Sequence, residues 1–259
     1  MKIAVSGKGG VGKTLIAGGL AYYFANKGLK TIAIDADSSP NLSLTLGLSP
    51  EEARRILPIS DNKELLESKT KTGYEGVYRL SFAVEDIVRD YSVKTPLGVN
   101  LIVMGTVRSM GSGCMCAANA VVRALLRHLV VERSEIVILD MEAGVEHIGR
   151  ATAKHVDVML IVSDANIKSL EIAKHIYGLA KNADMKQIFL VGNKIGNDAQ
   201  EKTVREFAEE NKLPMLGFIP FDQEVVDVEM KGTTPLKNRE SEVLTAIGRL
   251  GEQLITKNA

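Results

Sequence analysis

A glycine-rich run near the start of the chain constrains the fold more than any other feature of the sequence. Residues 7–14 read GKGGVGKT and fit the pattern G-x-x-x-x-G-K-[ST] of loops that wrap nucleotide phosphates. Residues 2–6 before the run, KIAVS, have an apolar centre and predict a short buried strand, and residues 15–26 after it predict a helix. The N-terminus of that helix would face the bound anion, so the sequence predicts a strand, a phosphate loop and a helix in succession.

The residue types in this run each have a chemical task. Glycines allow consecutive backbone N–H groups to turn towards phosphate oxygens, because no Cβ is in the way. Lys13 is placed to reach the β- and γ-phosphates, and the Thr14 hydroxyl can ligate Mg²⁺. We therefore predict that the nucleotide is bound by Gly9, Gly10, Val11, Gly12, Lys13, Thr14 and Leu15.

The bulk composition is that of an ordinary globular chain. The 259 residues, 45% hydrophobic and 25% charged, suffice for one large α/β domain with a substantial core. Lys and Arg together number 32, as do Asp and Glu, so the net charge is zero and nucleic acid is not an expected partner. The chain enters a strand at once and has no apolar run of about 18 residues. We therefore expect a cytoplasmic protein without a signal peptide that binds neither nucleic acid nor membrane.

Short β-rich runs alternate with helical stretches along most of the chain. This alternation predicts an α/β fold, with a mainly parallel central sheet covered by helices on both faces. We expect one P-loop domain over residues 1–259, with an insertion at about 50–97 that is charged and poorly periodic. The insertion should hold one or two helices, one of them at residues 61–68, with room for a strand. Its position just after the second strand suits a partner-binding or moving element.

The second lysine of the phosphate loop, Lys8, is not needed to bind phosphate. With it the loop resembles the deviant Walker A motif of the ATPase family that contains nitrogenase iron protein, septum-positioning and plasmid-partition ATPases, and metallocentre-assembly ATPases. In that family the extra lysine crosses a dimer interface to touch the partner's nucleotide. The resemblance implies a homodimer that hydrolyses ATP to ADP, with Lys8 and Lys13 both in catalytic roles. A solvated surface lysine is the alternative for Lys8.

Residues 35–41, DADSSPN, follow the second predicted strand and resemble a segment of the same family. A carboxylate at the carboxyl end of a parallel strand lies beside the nucleotide. The resemblance implies that Asp37 positions the attacking water, that Asp35 supports Mg²⁺ or the phosphate loop, and that Asn41 belongs to the switch. A turn aspartate without a ligand is the alternative for each carboxylate.

Residues 136–144, IVILDMEAG, form an apolar strand that ends in aspartate, which is the Walker B pattern. Asp140 would hold a Mg²⁺-bound water. The stretch from Asp140 to Gly144 resembles the family's second switch, in which the glycine amide senses the γ-phosphate. Glu142 departs from the commonest residues there, and we assign it no catalytic role.

Residues 191–195, VGNKI, resemble the adenine-contacting element of the family. Asn193, followed by Lys194, has a paired donor and acceptor that could hydrogen-bond the purine amino group and ring nitrogen. Residues 218–222, FIPFD, resemble the family's segment beside the base, which adds Pro220 to the predicted nucleotide contacts. One side chain does not settle the identity of the base.

The two cysteines of the chain, Cys114 and Cys116, stand one residue apart before a predicted helix at 117–131. Thiols close to a helix N-terminus are more readily deprotonated. One CxC pair supplies two metal ligands, whereas tetrahedral and square-planar sites have four, so a dimer with its two-fold axis at this loop would supply the rest. Buried hydrophobic cysteines and a redox-switching disulfide are the alternatives.

A deviant Walker A ATPase with a single CxC before a mid-chain helix resembles the nickel-insertion ATPases that mature carbon monoxide dehydrogenase, and their relatives that serve acetyl-CoA synthase. The resemblance implies that Cys114 and Cys116 of two subunits together bind Ni²⁺, in a site that can also take Zn²⁺. It further implies that ATP, Mg²⁺ and the metal control the dimer, which delivers nickel to such an enzyme. Two other classes stay open: a reductase in which the four cysteines bridge an iron–sulfur cluster, and a positioning or partition ATPase. Nitrogenase-type iron proteins use two cysteines far apart in sequence, a spacing that this chain lacks.

Overall fold

A computed structural model describes most of the chain. The predicted metal ligands Cys114 and Cys116 and the predicted switch residue Gly144 lie outside the described residues, so the predictions made for them stay predictions. The described residues are 1–37, 39–72, 85–105, 121–122, 124–132, 135–143, 153, 155–238 and 240–258.

The described residues form one eight-stranded sheet. Its strands are β1 Lys2–Gly7, β2 Thr31–Ala36, β3 Val93–Lys94, β4 Asn100–Val103, β5 Ile136–Met141, β6 Val158–Ser163, β7 Gln187–Ile195 and β8 Met215–Pro220. Their order in space is β3-β4-β2-β5-β1-β6-β7-β8, and every neighbouring pair is parallel except β3 with β4 at one edge. The predicted mainly parallel α/β fold is confirmed.

Helices cover both faces of this sheet. The α-helices that lie wholly within the described ranges are α1 Lys13–Asn26, α2 Leu42–Thr45, α3 Pro50–Arg55, α4 Lys63–Thr70, α5 Glu85–Tyr91, α6 Ile167–Asn182, α7 Asp198–Glu210, α8 Gln223–Met230 and α9 Glu242–Asn258. Short 3₁₀ turns occur at Ile59–Asp61 and Pro235–Lys237, and a π-helical turn at His128–Glu132. None of the helices in the described ranges is long and apolar enough to cross a bilayer.

The central strands are largely apolar because both of their faces are covered. In β1, Ala4 belongs to the core on one face, whereas Ile3 and Val5 belong to the core on the other. On the second face, α1 packs against the sheet and against α9, and its Gly19 leaves room for the side chain of Ile247. Because α1 is thereby fixed, the loop that leads into it has a rigid support at both ends.

The segment predicted as an insertion contributes to the same core. The predicted helix at 61–68 is α4, which starts two residues later, where the Asn62 side chain accepts a hydrogen bond from the Leu65 N–H at 3.0 Å. Ile59, Leu65 and Ile87 are buried in the core on one face of the sheet, and β3 adds a strand to its edge. The division of the chain into a domain and an insertion stays a prediction.

Candidate active site

The loop between β1 and α1 depends on glycine at two positions. Gly10 and Gly12 have φ angles of +82° and +93°, a backbone conformation that residues with a Cβ seldom adopt. A Cβ on Gly12 would also overlap the side-chain amide of Asn193. The Val11 side chain is buried in the core, so only its backbone is available to a nucleotide.

Two side chains at the end of β7 hold this loop. The Asn193 Nδ2 group donates to the Val11 carbonyl at 2.7 Å, and Lys194 Nζ donates to the Gly10 carbonyl at 2.9 Å. The sequence predicted Asn193 and Lys194 as nucleotide contacts but did not predict that they hold the loop. Adenine contact by these residues stays a prediction.

Lys13 lies at the centre of the predicted machinery. Its side chain is buried, its Nζ lies 3.5 Å from the Lys8 carbonyl oxygen, and it lies 3.9 Å from Asp37 Oδ2. Asp37 Oδ1 in turn accepts a hydrogen bond from the Ser39 N–H at 2.9 Å. The structure therefore brings together Lys13 and Asp37, two of the three residues predicted as catalytic, while the third, Lys8, is partly exposed.

Asp35 has contacts that the sequence did not predict. It is fully buried, and its carboxylate accepts hydrogen bonds from the N–H groups of Asp37 at 3.3 Å and Leu42 at 2.9 Å. Burial raises the pKa of Asp35 to about 6, although these backbone donors act to lower it. The side chain thus contacts the backbone of the segment predicted as a switch, and its role towards Mg²⁺ stays a prediction.

Asp140 is a buried carboxylate without a hydrogen-bond partner in the described part of the chain. It is fully buried in β5, next to Val5 of β1 and Asp35 of β2 in the strand register. Burial raises the pKa of Asp140 to about 7, and the nearby Thr14 hydroxyl opposes this rise. An unpartnered buried carboxylate costs free energy, and a carboxylate beside a hydroxyl is a donor set that Mg²⁺ accepts. Thr14 and Asp140 therefore fit the predicted magnesium site.

A cavity of about 270 Å³ adjoins the phosphate loop. It is lined by all three residues predicted near the base, Asn193, Lys194 and Pro220.

Glu229 of α8 also lines this cavity, and the sequence did not predict it. Burial raises the pKa of Glu229, and Lys194 opposes the rise. The only sequence signal for Glu229 is its position four residues after Val225, which lines the same cavity from the same face of α8. The predicted loop residues that line the cavity are Gly10, Gly12, Lys13, Thr14 and Leu15.

No group of three or more His, Cys, Asp or Glu side chains that could hold a metal ion occurs among the residues that the structure describes. The nickel prediction therefore depends on Cys114 and Cys116.

A phosphate loop between a central parallel strand and a helix, with buried carboxylates at the ends of two neighbouring strands, defines a P-loop nucleotide-binding protein. Residues 2–236 match the family model described as the CobQ/CobB/MinD/ParA nucleotide binding domain, and the chain belongs to this family. Members of the family are ATPases, and this chain is an ATPase.

Relatives of similar length match almost the whole chain. An uncharacterized ATP-binding protein of Methanocaldococcus jannaschii is 42% identical over 235 residues, which cover 90% of this chain and 90% of the relative. The carbon monoxide dehydrogenase accessory protein CooC of Rhodospirillum rubrum is 39% identical over 236 residues, which cover 90% of this chain and 88% of the relative.

Solved structures share the fold at low sequence identity. The MinC:MinD cell division protein complex of Aquifex aeolicus matches with a TM-score of 0.73 and 21% identity, over 99% of this chain and 96% of that chain. The septum site-determining protein MinD of Pyrococcus horikoshii, complexed with Mg-ADP, matches with a TM-score of 0.71 and 19% identity, over 99% of this chain and 96% of that chain. These similarities confirm the P-loop fold and carry no further functional conclusion.

Proposed function

We propose that the protein is a homodimeric metallochaperone that binds Ni²⁺ between its subunits through Cys114 and Cys116 and inserts it into carbon monoxide dehydrogenase or acetyl-CoA synthase. The observation that carries the proposal is the 39% identity to a carbon monoxide dehydrogenase accessory protein along 90% of the chain. The CxC spacing supports it, because thiolates are good ligands for soft and borderline metals.

The described site supplies the ATPase half of this function. ATP would bind along the backbone of residues 9–15, with Lys13 at its β- and γ-phosphates and its base in the cavity next to Asn193. Mg²⁺ held near Thr14 and Asp140 would neutralise charge on the phosphates.

Asp37 would couple ATP to the switch. Its carboxylate lies 3.9 Å from Lys13 Nζ, which is the cation that a γ-phosphate would also approach. The incoming phosphate would repel Asp37 and compete for the lysine, so the segment that carries Asp37 responds to ATP directly. Asp37 is then free to position the attacking water.

Nickel is the cargo of the proposed cycle. Two thiolates from each subunit would give four ligands across the dimer interface, and ATP would favour the closed dimer. Hydrolysis would then loosen the interface and release the metal near the nickel enzyme. The proposal therefore requires that metal binding and dimerisation occur together.

The first test is a Ni²⁺ titration of the reduced, metal-free protein under anaerobic conditions, with stoichiometry and mass measured together, with and without ATP. We expect about one nickel per two chains, bound in step with dimer formation, as four-coordinate thiolate ligation requires. The variant Cys114→Ser should lose nickel binding and keep ATP binding. The variant Met115→Leu changes the residue between the cysteines without removing a thiol and serves as the matched control.

Three other results would refute the proposal. Equal nickel affinity in Cys114→Ser would exclude the thiolate site, and one metal per monomer with no change in mass would exclude the shared one. Visible absorption after anaerobic reconstitution with iron and sulfide, together with no nickel binding, would instead assign an iron–sulfur reductase. If nickel binds as expected, activation of nickel-free carbon monoxide dehydrogenase by the loaded protein and ATP tests delivery.

A further inference from the structure

One carboxylate contacts both ends of the segment predicted as the first switch. Asp35 Oδ1 accepts the N–H of Asp37 at 3.3 Å, and Asp35 Oδ2 accepts the N–H of Leu42 at 2.9 Å. The two donors are five residues apart in sequence, and the carboxylate of the first, Asp37, lies 3.9 Å from Lys13 Nζ. The carboxylate of Asp35 therefore anchors both ends of this loop, Asp37 and Leu42, on β2.

Further hydrogen bonds continue inside this loop. Asp37 Oδ1 accepts the Ser39 N–H at 2.9 Å, and the Asn41 Nδ2 group donates to the Ser39 carbonyl at 2.9 Å. Asp35 holds Asp37 at one end of this series and Leu42, the residue after Asn41, at the other. Hydrogen bonds to a charged carboxylate are stronger than those between neutral groups, so the two contacts of Asp35 should dominate the position of the loop.

Asp35 itself has little freedom to move. In β2 it pairs with Val103 of β4 on one side and with Asp140 of β5 on the other, and its carbonyl accepts the Met104 N–H at 2.9 Å. Asp35 is also fully buried. A change in its carboxylate should therefore release the loop while the strand stays in place.

We propose that Asp35 is a positioning residue for ATP hydrolysis, which holds the N–H groups of Asp37 and Leu42 and so sets the position of Asp37 at the phosphate loop. This differs from the role in magnesium support that the sequence predicted, because both carboxylate oxygens are already engaged by the loop. The proposal rests on the predicted catalytic role of Asp37 and is independent of nickel.

The test is the variant Asp35→Asn, which keeps the shape of the side chain and one acceptor oxygen. Its other oxygen is replaced by an NH₂ group, which cannot accept a hydrogen bond. Because a hydrogen bond to a charged group is lost, we expect kcat for ATP hydrolysis to fall about tenfold. The KM for ATP and the half-saturating Mg²⁺ concentration should stay within about twofold, since loop position and not binding is affected. The variant Asp61→Asn, at an exposed aspartate, is the control and should leave all three unchanged.

A double-variant cycle separates positioning from a general loss of structure. If Asp35 acts through Asp37, then Asp35→Asn combined with Asp37→Asn hydrolyses ATP no more slowly than Asp37→Asn alone. Effects that multiply would overturn the proposal, as would an unchanged kcat in Asp37→Asn. A large rise in the half-saturating Mg²⁺ concentration of Asp35→Asn would overturn it in favour of a metal-supporting role.

Hydrogen exchange of the unaltered protein tests the same contacts if Asp35→Asn does not fold. The amides of Asp37 and Leu42 should then be protected together, because one carboxylate accepts both. Exchange of both at the rate of an exposed loop would contradict the proposal. Neither experiment involves Cys114 or Cys116, so a failure here would not be confused with a failure of the nickel function.

Discussion

Lys13 Nζ lies 3.9 Å from Asp37 Oδ2, so the lysine that begins α1 contacts the carboxylate that follows β2. Both side chains are largely buried, at 8% and 21% exposure, and water therefore screens the pair only in part. The same lysine is the group that a P-loop directs at the β- and γ-phosphates. The position of Asp37 and the occupancy of the phosphate loop are consequently coupled through one cation.

The first prediction separates the two members of this pair. We expect Asp37→Asn to keep or increase affinity for ATP, because it removes a negative charge near the phosphates, and to lower kcat roughly 10²-fold, because the water loses its orienting group. We expect Lys13→Gln to lower ATP affinity instead, because the phosphates lose their cation. The measurements are ATP dissociation constants and single-turnover hydrolysis for each variant. A loss of ATP binding in Asp37→Asn would contradict this division of roles.

The second prediction tests whether Lys8 acts across a dimer interface. Lys8→Ala and Asp37→Asn should each lose nearly all ATPase activity as homodimers. If Lys8 acts across the interface, the site with an intact Asp37 in a mixed dimer would receive an intact Lys8 from the other subunit. When the two variants are mixed in equal amounts, about half of the dimers contain one subunit of each variant, and each of these has one working site. About a quarter of the unaltered activity should therefore return. The measurement is ATPase activity against mixing ratio.

Each variant mixed with the unaltered protein controls for subunit exchange in this experiment. If exchange occurs and the two inactive variants still do not restore activity together, Lys8 acts within its own subunit. That result would remove the main argument for a catalytic homodimer.

Motifs at the ends of strands made much of this site predictable. The glycine pattern at 7–14 has few structural solutions, and in a parallel sheet Asp37 and Asp140, at or just after strand ends, reach the same edge as the loop. The sequence therefore indicated which residues would meet without any knowledge of strand order.

Contacts that depend on side-chain direction were not predictable. Nothing in the sequence distinguishes an Asp35 that faces a metal from one that accepts the N–H groups of Asp37 and Leu42, because both need only a buried carboxylate. The donation from Asn193 to the Val11 carbonyl depends on how β7 sits beside the loop, which is a tertiary relationship. Glu229 was missed for the same reason, since its helix reaches the cavity only through packing.

The third prediction concerns the fit between Gly12 and Asn193. Gly12→Ala places a Cβ against the Asn193 amide in addition to the strain of a positive φ, so the loop should be displaced and ATP affinity should fall at least tenfold. Gly28 offers a matched control, because its φ is +80° and a Cβ there would meet nothing within 4 Å. Gly28→Ala should cost about 1–2 kcal/mol of stability and leave ATP affinity unchanged.

Calorimetric ATP affinity and thermal unfolding of both variants check this prediction. Equal ATP affinity in the two alanine variants would show that neither the positive φ of Gly12 nor its contact with Asn193 affects ATP binding. The close approach of Asn193 would then have no part in shaping the loop.

The fourth prediction concerns pH and the two buried carboxylates. The pKa of Asp35 is raised to about 6 and that of Asp140 to about 7, from 3.8, with burial as the main cause for both. The folded protein therefore keeps protons that the unfolded chain releases above about pH 4. Stabilisation by these groups is fully present below that pH and is lost as pH rises towards 7. In the absence of Mg²⁺ and nucleotide, the free energy of unfolding should thus decrease from pH 5.5 to 7.5.

Urea denaturation at pH 5.5, 6.5 and 7.5 measures this decrease, and Asp140→Asn identifies its source. The variant has no proton to lose at position 140, so its stability should change less with pH than that of the unaltered protein. If Asp140 helps to hold Mg²⁺ as predicted, Mg²⁺ with ADP should favour the ionised carboxylate, and the stability that it adds should be greater at pH 7.5 than at pH 5.5. A free energy of unfolding that rises across this range, or an equal slope in Asp140→Asn, would mean that Asp140 is already ionised in the folded protein. The carboxylate would then need a cation or a donor other than the Thr14 hydroxyl to hold its charge.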